Sequence, residues 1–206
     1  MTQKPQAHGR RRFVLLVLLF AAPVLGAYAL YFWAPEDWRP HGRTNRGQLV
    51  NPARPVEALA LHGVDGRSLA SVPIRDRWTL LLVGPSSCDD ACLRLLYDTR
   101  QVRTALGKDM PRVRRLYVAT DRMELEALQA LQAREHPDLV LAVAEGAEVY
   151  ALERQFSIDG RSPLRNAGDV YLLDPHGNWL MYYTPEDPPQ DLLKDLKKLL
   201  RLSNIG

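Results

Sequence analysis

The chain has 206 residues, of which 46% are hydrophobic, a proportion typical of globular proteins. Its formal net charge of +3 is unevenly distributed, because Lys4, Arg10, Arg11 and Arg12 all precede the first acidic residue, Glu36. The rest of the chain is therefore close to neutral. It lacks the basic face that nucleic-acid binding requires, which argues against nucleic acid as a partner.

A long apolar segment begins at Phe13, ends at Trp33 and contains no charged residue. Its 21 residues are enough to cross the hydrocarbon core of a bilayer as a helix. The positive-inside rule places residues 1–12 in the cytoplasm, so we expect a single-pass anchor in a bacterial inner membrane with the rest of the chain in the periplasm. The alternative is a cleaved signal peptide, since residues 27–29 have the small-x-small form of a cleavage site. Either interpretation exports the remaining chain to a compartment that permits disulfides.

Residues 34–55 are rich in Pro, Gly, Asn and Arg and show no apolar periodicity, which predicts an extended linker. A folded domain is expected over residues 56–206. It begins with a predicted β-hairpin, in which Leu59, Leu61 and Val64 precede a turn at residues 65–67 and residues 69–72 follow it.

The two cysteines of the chain, Cys88 and Cys92, follow an apolar run that starts at Trp78 and is interrupted at Gly84 and Pro85. Apolar residues then recur at helical spacing. This pattern predicts a strand, a loop and a helix, with both sulfurs at the helix start, where free N–H groups and the helix dipole stabilise a thiolate. The spacing of four places both side chains on one face of the first turn, so the pair can form a disulfide or hold one soft metal ion.

Strands and helices alternate after the cysteines and end in a hairpin and a helix. The predicted elements are a strand over residues 113–119, a helix that starts with a capping-box pair at Asp121 and Glu124, a strand over 138–143, a helix over 145–156, a hairpin with strands over 170–173 and 179–183, and a helix from 188 onward. This order predicts an α/β fold with a mixed sheet flanked by helices. With a cysteine pair after its first strand, the arrangement is thioredoxin-like.

The cysteine loop resembles the motif of the SCO/SenC family, a glycine and three residues followed by C-P-D-x-C-P. Gly84, Cys88, Asp90 and Cys92 match, whereas Asp89 and Leu93 replace the two prolines. Residues 171–177 also resemble the family's late strand and its D-P-x-G turn. The resemblance implies a membrane-anchored thioredoxin-like protein that helps to assemble the copper sites of cytochrome c oxidase, with a respiratory oxidase subunit or its copper-ligand cysteines as the partner.

One position departs from the family pattern at the third copper ligand. The family has a histidine five residues before the tyrosine of the late strand, and counting back from Tyr171 gives Asn166. An amide is a poor ligand for Cu(I), which prefers thiolate, thioether and imidazole. His176 lies at the other end of the strand, roughly 13 Å away at about 3.3 Å per strand residue. We therefore expect copper binding to be weakened and the thiol chemistry to survive.

Three interpretations of Cys88 and Cys92 remain open. They are a redox pair, in which Cys88 attacks and Cys92 resolves; two ligands of Cu(I); or a structural disulfide. Negative charge raises a thiol pKa, so the acidic residues Asp89 and Asp90 oppose strong activation. The first hypothesis follows from the family resemblance: the chain is a thiol–disulfide oxidoreductase or Cu(I) donor in oxidase assembly.

The second hypothesis is a non-catalytic interaction module that docks on a respiratory membrane complex.

The remaining polar candidates are expected to have ordinary structural positions. Asp90 is expected to be a solvated or capping residue, and His62 and His136 are expected to be surface residues. His176 is expected in a turn, and Met110, Met123 and Met181 are too scattered to form a methionine copper site.

Overall fold

The computed structural model describes residues 7–33, 45–57, 61–64 and 74–203. The chain divides into two units, Met1–Thr44 and Asn45–Gly206. The described part of the first unit is one helix, α1 (Ala7–Trp33), with Pro23 inside it. Within it, Arg10–Phe32 is long and apolar enough to cross a membrane, with a mean hydropathy of 2.5. The predicted apolar segment is thus a continuous helix, which meets the length and composition criteria for a membrane span.

The second unit is built on one seven-stranded mixed sheet with the order β1-β7-β6-β3-β4-β5-β2. The strands are β1 (Gln48–Pro55), β2 (His62–Gly63), β3 (Trp78–Gly84), β4 (Val113–Ala119), β5 (Leu139–Val143), β6 (Val170–Leu173) and β7 (Asn178–Tyr183). The neighbouring strands β3, β4 and β5 are parallel, and the remaining pairings are antiparallel. The helices are α2 (Asp90–Thr104), α3 (Leu125–Glu135), α4 (Ala147–Phe156) and α5 (Pro189–Leu202), with a 3₁₀ helix at Gly107–Arg112. This architecture is the predicted mixed sheet flanked by helices.

The sheet carries a hydrophobic core on each face. Because successive strand residues point to opposite faces, Leu80 and Leu82 of β3 join one core, while Leu81 and Val83 join the other. The first core includes buried residues of α2, α3 and α5, and the second includes those of α4. All seven residues of β3 are buried, as is usual for a parallel strand covered by helices on both sides.

The predicted linker is wrong in its second half. Residues 48–55 form strand β1, which pairs antiparallel with β7 at the edge of the sheet. Only Val50 of this strand is buried, and its pairing is irregular between Leu49 and Arg54. A prolyl edge strand of this kind lacks the apolar alternation that identifies strands in sequence. Residues 34–44 of the predicted linker lie outside the described residues.

The predicted hairpin before β3 is described only in part. Within its predicted first strand, His62–Gly63 pairs antiparallel with β5. The residues of its second strand and turn, 65–73, lie outside the described part of the chain.

Two further expectations fail at the ends of α3. The helix begins at Leu125 rather than at Asp121, and Glu124 makes no capping hydrogen bond with its side chain. At the other end, His136 is buried, with 2% of its surface exposed, and is not a surface residue. Burial lowers the pKa of His136, and the nearby charges of Arg115 and Arg100 lower it further.

The start of β1 is attached to α5 by one buried carboxylate. Asp195, which is 4% exposed, accepts hydrogen bonds from the amides of Arg46 (2.8 Å) and Gly47 (3.0 Å) and from the hydroxyl of Tyr183 (3.0 Å). Burial raises the pKa of Tyr183, and the charge of Asp195 raises it further. Gly47 lies against the Tyr183 ring with no space for a side chain. Asp195 therefore holds β1 in the sheet although the strand itself buries little.

We expect Asp195→Ala to lower the free energy of unfolding by about 2–3 kcal/mol, because it leaves buried donors unpaired. The measurement is urea unfolding of the full chain in detergent, followed by tryptophan fluorescence. Asp191→Ala on the same helix is the control, since Asp191 makes partly exposed ion pairs with Arg46 and Lys194 that contribute less than about 1 kcal/mol. Equal losses in the two variants would contradict the role assigned to Asp195.

Candidate functional site

The two cysteines form a disulfide at the start of α2, with their Cα atoms 5.1 Å apart. β3 ends at Gly84, and α2 begins at Asp90, so Cys88 lies in the loop and Cys92 in the first helical turn. Both cysteines are half-buried, while Ser87, Asp89, Asp90 and Ala91 around them are exposed. The predicted strand, loop and helix are confirmed, but only Cys92 lies in the first helical turn, because Cys88 precedes the cap. The disulfide lies at the exposed start of the helix.

Asp89, rather than Asp90, caps this helix. Its carboxylate accepts a hydrogen bond of 2.9 Å from the Cys92 amide, and its carbonyl oxygen accepts one of 2.8 Å from the Leu93 amide. Asp90 is the exposed first residue of α2, in agreement with its predicted solvated position. The cap stabilises the helix, but it occupies an N–H group and brings negative charge close to the sulfurs. Both effects work against the stabilisation of a thiolate by the helix dipole.

Tyr117 of β4 lies next to the disulfide on the side that faces the sheet. The Tyr117 hydroxyl donates a hydrogen bond of 2.8 Å to the Pro85 carbonyl, and its oxygen lies 3.8 Å from Cys92 Sγ. A Cβ at Gly84 would lie 2.5 Å from this hydroxyl oxygen. The glycine of the motif therefore provides the space in which the tyrosine reaches the cysteine loop.

A second connection joins the cysteine loop to the loop that follows β4. The buried Ser86 hydroxyl donates to the Asp121 carboxylate and accepts a hydrogen bond of 2.9 Å from the Glu124 amide. The Ser86 amide (3.3 Å) and the Met123 amide (3.0 Å) also donate to Asp121. Burial acts to raise the pKa of Asp121, but the hydrogen bonds from Ser86 and Met123 outweigh it, and the pKa is lowered. Asp121 is thus an ionised acceptor that orders the loop, which explains why it does not cap α3.

The residue at the expected third copper-ligand position has a structural role. The Asn166 side-chain oxygen accepts a hydrogen bond of 3.0 Å from the Ser162 amide, and the Asn166 amide donates one of 2.8 Å to the Ser162 carbonyl. Nearby, Arg161 binds the buried carboxylate of Asp169 with two hydrogen bonds, at 2.7 and 3.0 Å. Asn166 therefore stabilises the turn before β6 and directs its oxygen to the backbone.

The other candidate ligands do not join the cysteines. His176 is exposed, and its amide donates to Asp174 in the turn before β7, as predicted. Met181 is buried in the first core, and Met123 is 89% exposed. Among the described residues, no three His, Cys, Asp or Glu side chains are grouped to hold a metal ion. Two sulfurs, with no third donor grouped beside them in the described part of the chain, do not fit the three-ligand copper site that the family resemblance implies.

A cavity of about 330 Å³ adjoins the cysteine loop. It begins at Ala91, between the two cysteines, and runs along α2 past Leu95. Its opposite wall is formed by Gly168, Pro185 and Leu192. Its lining is mainly apolar, so the exposed helix tip continues into a surface on which a protein segment can pack.

Sequence reasoning identified both sulfurs but missed Ser86, Asp121 and Tyr117. Ser86 and Asp121 form an ordinary polar pair far apart in sequence, and no local pattern indicates their contact. The signal for Tyr117 was Gly84, since a glycine at the end of a buried strand often marks a close approach by another group.

Comparison with known proteins places the chain in a family. Residues 78–203 match the model of the transmembrane-like, thioredoxin-like, C-terminal domain family. The chain belongs to this family. A search of curated proteins finds no match.

Three solved structures are similar to the chain in fold. Arabidopsis thaliana ScoI with copper bound has a TM-score of 0.58 and 17% identity over 70% of this chain and 97% of that one. Yeast Sco1 has a TM-score of 0.60 and 14% identity over 72% and 96%. BsSco, described as a member of the Sco family of cytochrome c oxidase assembly proteins with a disulfide switch, has a TM-score of 0.55 and 14% identity over 77% and 98%. The predicted Sco resemblance and thioredoxin-like fold are confirmed.

We expect Ser86→Ala to destabilise the domain by about 1–2 kcal/mol, because it removes a buried hydroxyl with two partners. The exposed neighbour provides the control, since Ser87→Ala should stay within about 0.5 kcal/mol of the wild type. Urea unfolding of the oxidised chain measures both. Indistinguishable stabilities would mean that the contact with Asp121 does not order the loop.

Ser86→Ala and Ser87→Ala also test how the free energy of unfolding depends on pH. The pKa of Asp121 is lowered from its ordinary value of 3.8, so its ionised form stabilises the folded state above that value, and this stabilisation is lost as the pH falls through the folded-state pKa. Ser86→Ala should reduce the acid-dependent loss below about pH 4, whereas Ser87→Ala should not. Unfolding curves between pH 2 and pH 7, roughly the window of carboxylate titration, give the comparison.

Proposed function

We propose that the chain is a membrane-anchored protein of the Sco type that uses Cys88 and Cys92 for thiol–disulfide exchange. The observation that carries this proposal is the disulfide at the exposed start of α2, in a fold shared with Sco proteins. In this proposal α1 crosses the bacterial inner membrane, residues 1–12 are cytoplasmic, and the thioredoxin-like domain is periplasmic.

The exchange requires one attacking and one resolving sulfur. In the reduced chain, the Cys88 thiolate attacks a partner disulfide, forms a mixed disulfide and releases one partner thiolate. The Cys92 thiolate then attacks the Cys88 sulfur, closes the Cys88–Cys92 disulfide and releases the second partner thiolate. Two electrons pass to the partner, and an upstream dithiol must restore the reduced chain. Cys88 precedes the helix cap and Cys92 contacts Tyr117, which supports this order of roles.

Electrostatics favours a reducing direction. Asp89 and Asp90 place negative charge beside the sulfurs. Asp89 also accepts the hydrogen bond of the Cys92 amide, which is then not available to a thiolate. Both effects disfavour the thiolates relative to the disulfide, and a pair with a stable disulfide gives up electrons readily. The substrate class that we propose is a disulfide formed by the copper-ligand cysteines of a respiratory oxidase subunit, in line with the assembly role attributed to BsSco.

Trapping the mixed disulfide tests this exchange. Cys92→Ser leaves Cys88 able to attack and removes the resolving thiol, so we expect it to accumulate a covalent complex with a peptide that carries an intramolecular disulfide. Cys88→Ser is the matched control and should accumulate little. Non-reducing electrophoresis and mass spectrometry of the full chain measure the adducts.

A structural disulfide would give a different result. Neither variant would then form an adduct, and both would retain the protein's activity in oxidase assembly. That pair of results would leave the fold as a non-catalytic module that docks on a respiratory membrane complex.

Copper delivery by Cys88 and Cys92 is tested separately. Since the described donors near the site are two sulfurs, we expect the reduced chain to lose Cu(I) to a strong chelator such as bathocuproine disulfonate. Anaerobic titration with absorbance of the chelator complex measures the retained copper. Retention of one Cu(I) per chain, abolished by Cys92→Ser, would contradict the expectation and establish copper as a cargo.

A further inference from the structure

The hydroxyl group of Tyr117 has two neighbours that differ in chemical character. It donates to the Pro85 carbonyl at 2.8 Å, and the same oxygen lies 3.8 Å from Cys92 Sγ. Tyr117 is 2% exposed, so water does not replace the hydroxyl group easily at this position. A hydroxyl hydrogen rotates about its C–O bond. The single hydrogen can therefore be directed to either neighbour without movement of the ring.

Reduction of the disulfide places a negative charge on Cys92 Sγ. When a reductant's thiolate attacks the Cys88 sulfur, the S–S bond breaks and its electron pair remains on Cys92 Sγ as the leaving thiolate. The Cys92 amide already donates to Asp89, and the Asp89 carboxylate adds negative charge nearby. The leaving sulfur therefore needs a hydrogen-bond donor from the protein interior, and Tyr117 lies on that side.

We propose that the Tyr117 hydroxyl is this donor, and that its hydrogen bond moves from the Pro85 carbonyl to Cys92 Sγ when the disulfide is reduced. The inference rests on the proposed thiol–disulfide exchange and assigns a residue that stabilises the reduced state. Pro85 is exposed, so water can solvate its carbonyl once the hydroxyl turns away.

Two features keep the hydroxyl group available for this purpose. Burial raises the pKa of Tyr117, and the charges of Asp121 and Asp89 raise it further, so the group retains its hydrogen. Gly84 leaves the space that the hydroxyl occupies between β3 and the cysteine loop. A phenylalanine would keep the ring and its packing but would remove the donor.

The experiment compares Tyr117→Phe with the wild type in the full chain in detergent. We expect the rate constant for reduction by dithiothreitol to fall about tenfold, because the leaving sulfur loses a charge-assisted hydrogen bond. The reduction potential, measured in dithiothreitol redox buffers, should become more negative by about 30 mV, the two-electron equivalent of a tenfold change in equilibrium.

Tyr171→Phe is the matched control. Tyr171 is equally buried, but it belongs to the core on the other face of the sheet. Its hydroxyl has no hydrogen-bond partner among the described residues. Its replacement should leave both the rate and the potential unchanged. Thermal unfolding of each variant in both redox states distinguishes this role from a purely structural one. Loss of the hydrogen bond to Pro85 alone would not lower the stability of the reduced state more than that of the oxidised state.

The outcomes distinguish this inference from the proposed function. A wild-type disulfide that opens and closes reversibly, together with an unchanged potential and rate in Tyr117→Phe, overturns the role of Tyr117 and leaves exchange intact. A wild-type disulfide that stays closed in the folded chain under excess dithiothreitol overturns both. A selective shift in Tyr117→Phe supports the inference.

Discussion

The parallel pairing of β3 with β4 is the constraint on which the site depends. Its register pairs Gly84 with Ala119, so both strands end at the same edge of the sheet and the loops that follow them meet there. Ser86 consequently reaches Asp121, and the Tyr117 hydroxyl reaches Pro85. These contacts connect the sheet to the cysteine loop, so the exposed start of α2 is held in place through two buried residues, Ser86 and Tyr117.

The charges around the disulfide then decide what the site can do. A helix N-terminus alone stabilises thiolates and makes a disulfide oxidising. Here Asp89 caps the helix through the Cys92 amide and Asp90 follows it, so the local field opposes the dipole. The resulting preference for the closed disulfide suits a protein that donates electrons. In the proposed exchange, the same preference disfavours reduction of the disulfide, the step in which we propose that Tyr117 donates a hydrogen bond to Cys92 Sγ.

The sequence predicts the strands and helices that have a regular pattern of apolar residues. It does not predict contacts between residues that are far apart along the chain. The bounds of β4 and β6 agree with the predicted strands, because continuous apolar runs identify buried strands. The sequence predicts a linker where β1 lies, since Pro52, Pro55 and the exposed residues of this strand show no apolar alternation. Asp121 fits a capping pattern equally well by sequence, but its carboxylate binds Ser86, 35 residues earlier. Local spacing contains no information about such a contact.

Asn166 separates two chemistries that share one fold. The proposed exchange needs two neighbouring sulfurs, and the segment from the end of β3 to the first turn of α2 supplies both. The three-ligand copper site that the family resemblance implies would need in addition a donor from the loop before β6, a segment separate from the cysteines. In this chain the amide oxygen of Asn166 binds the Ser162 amide, so the residue stabilises its own turn. Because the thiol pair does not require that loop, the exchange reaction proposed above is chemically complete with an asparagine at this position.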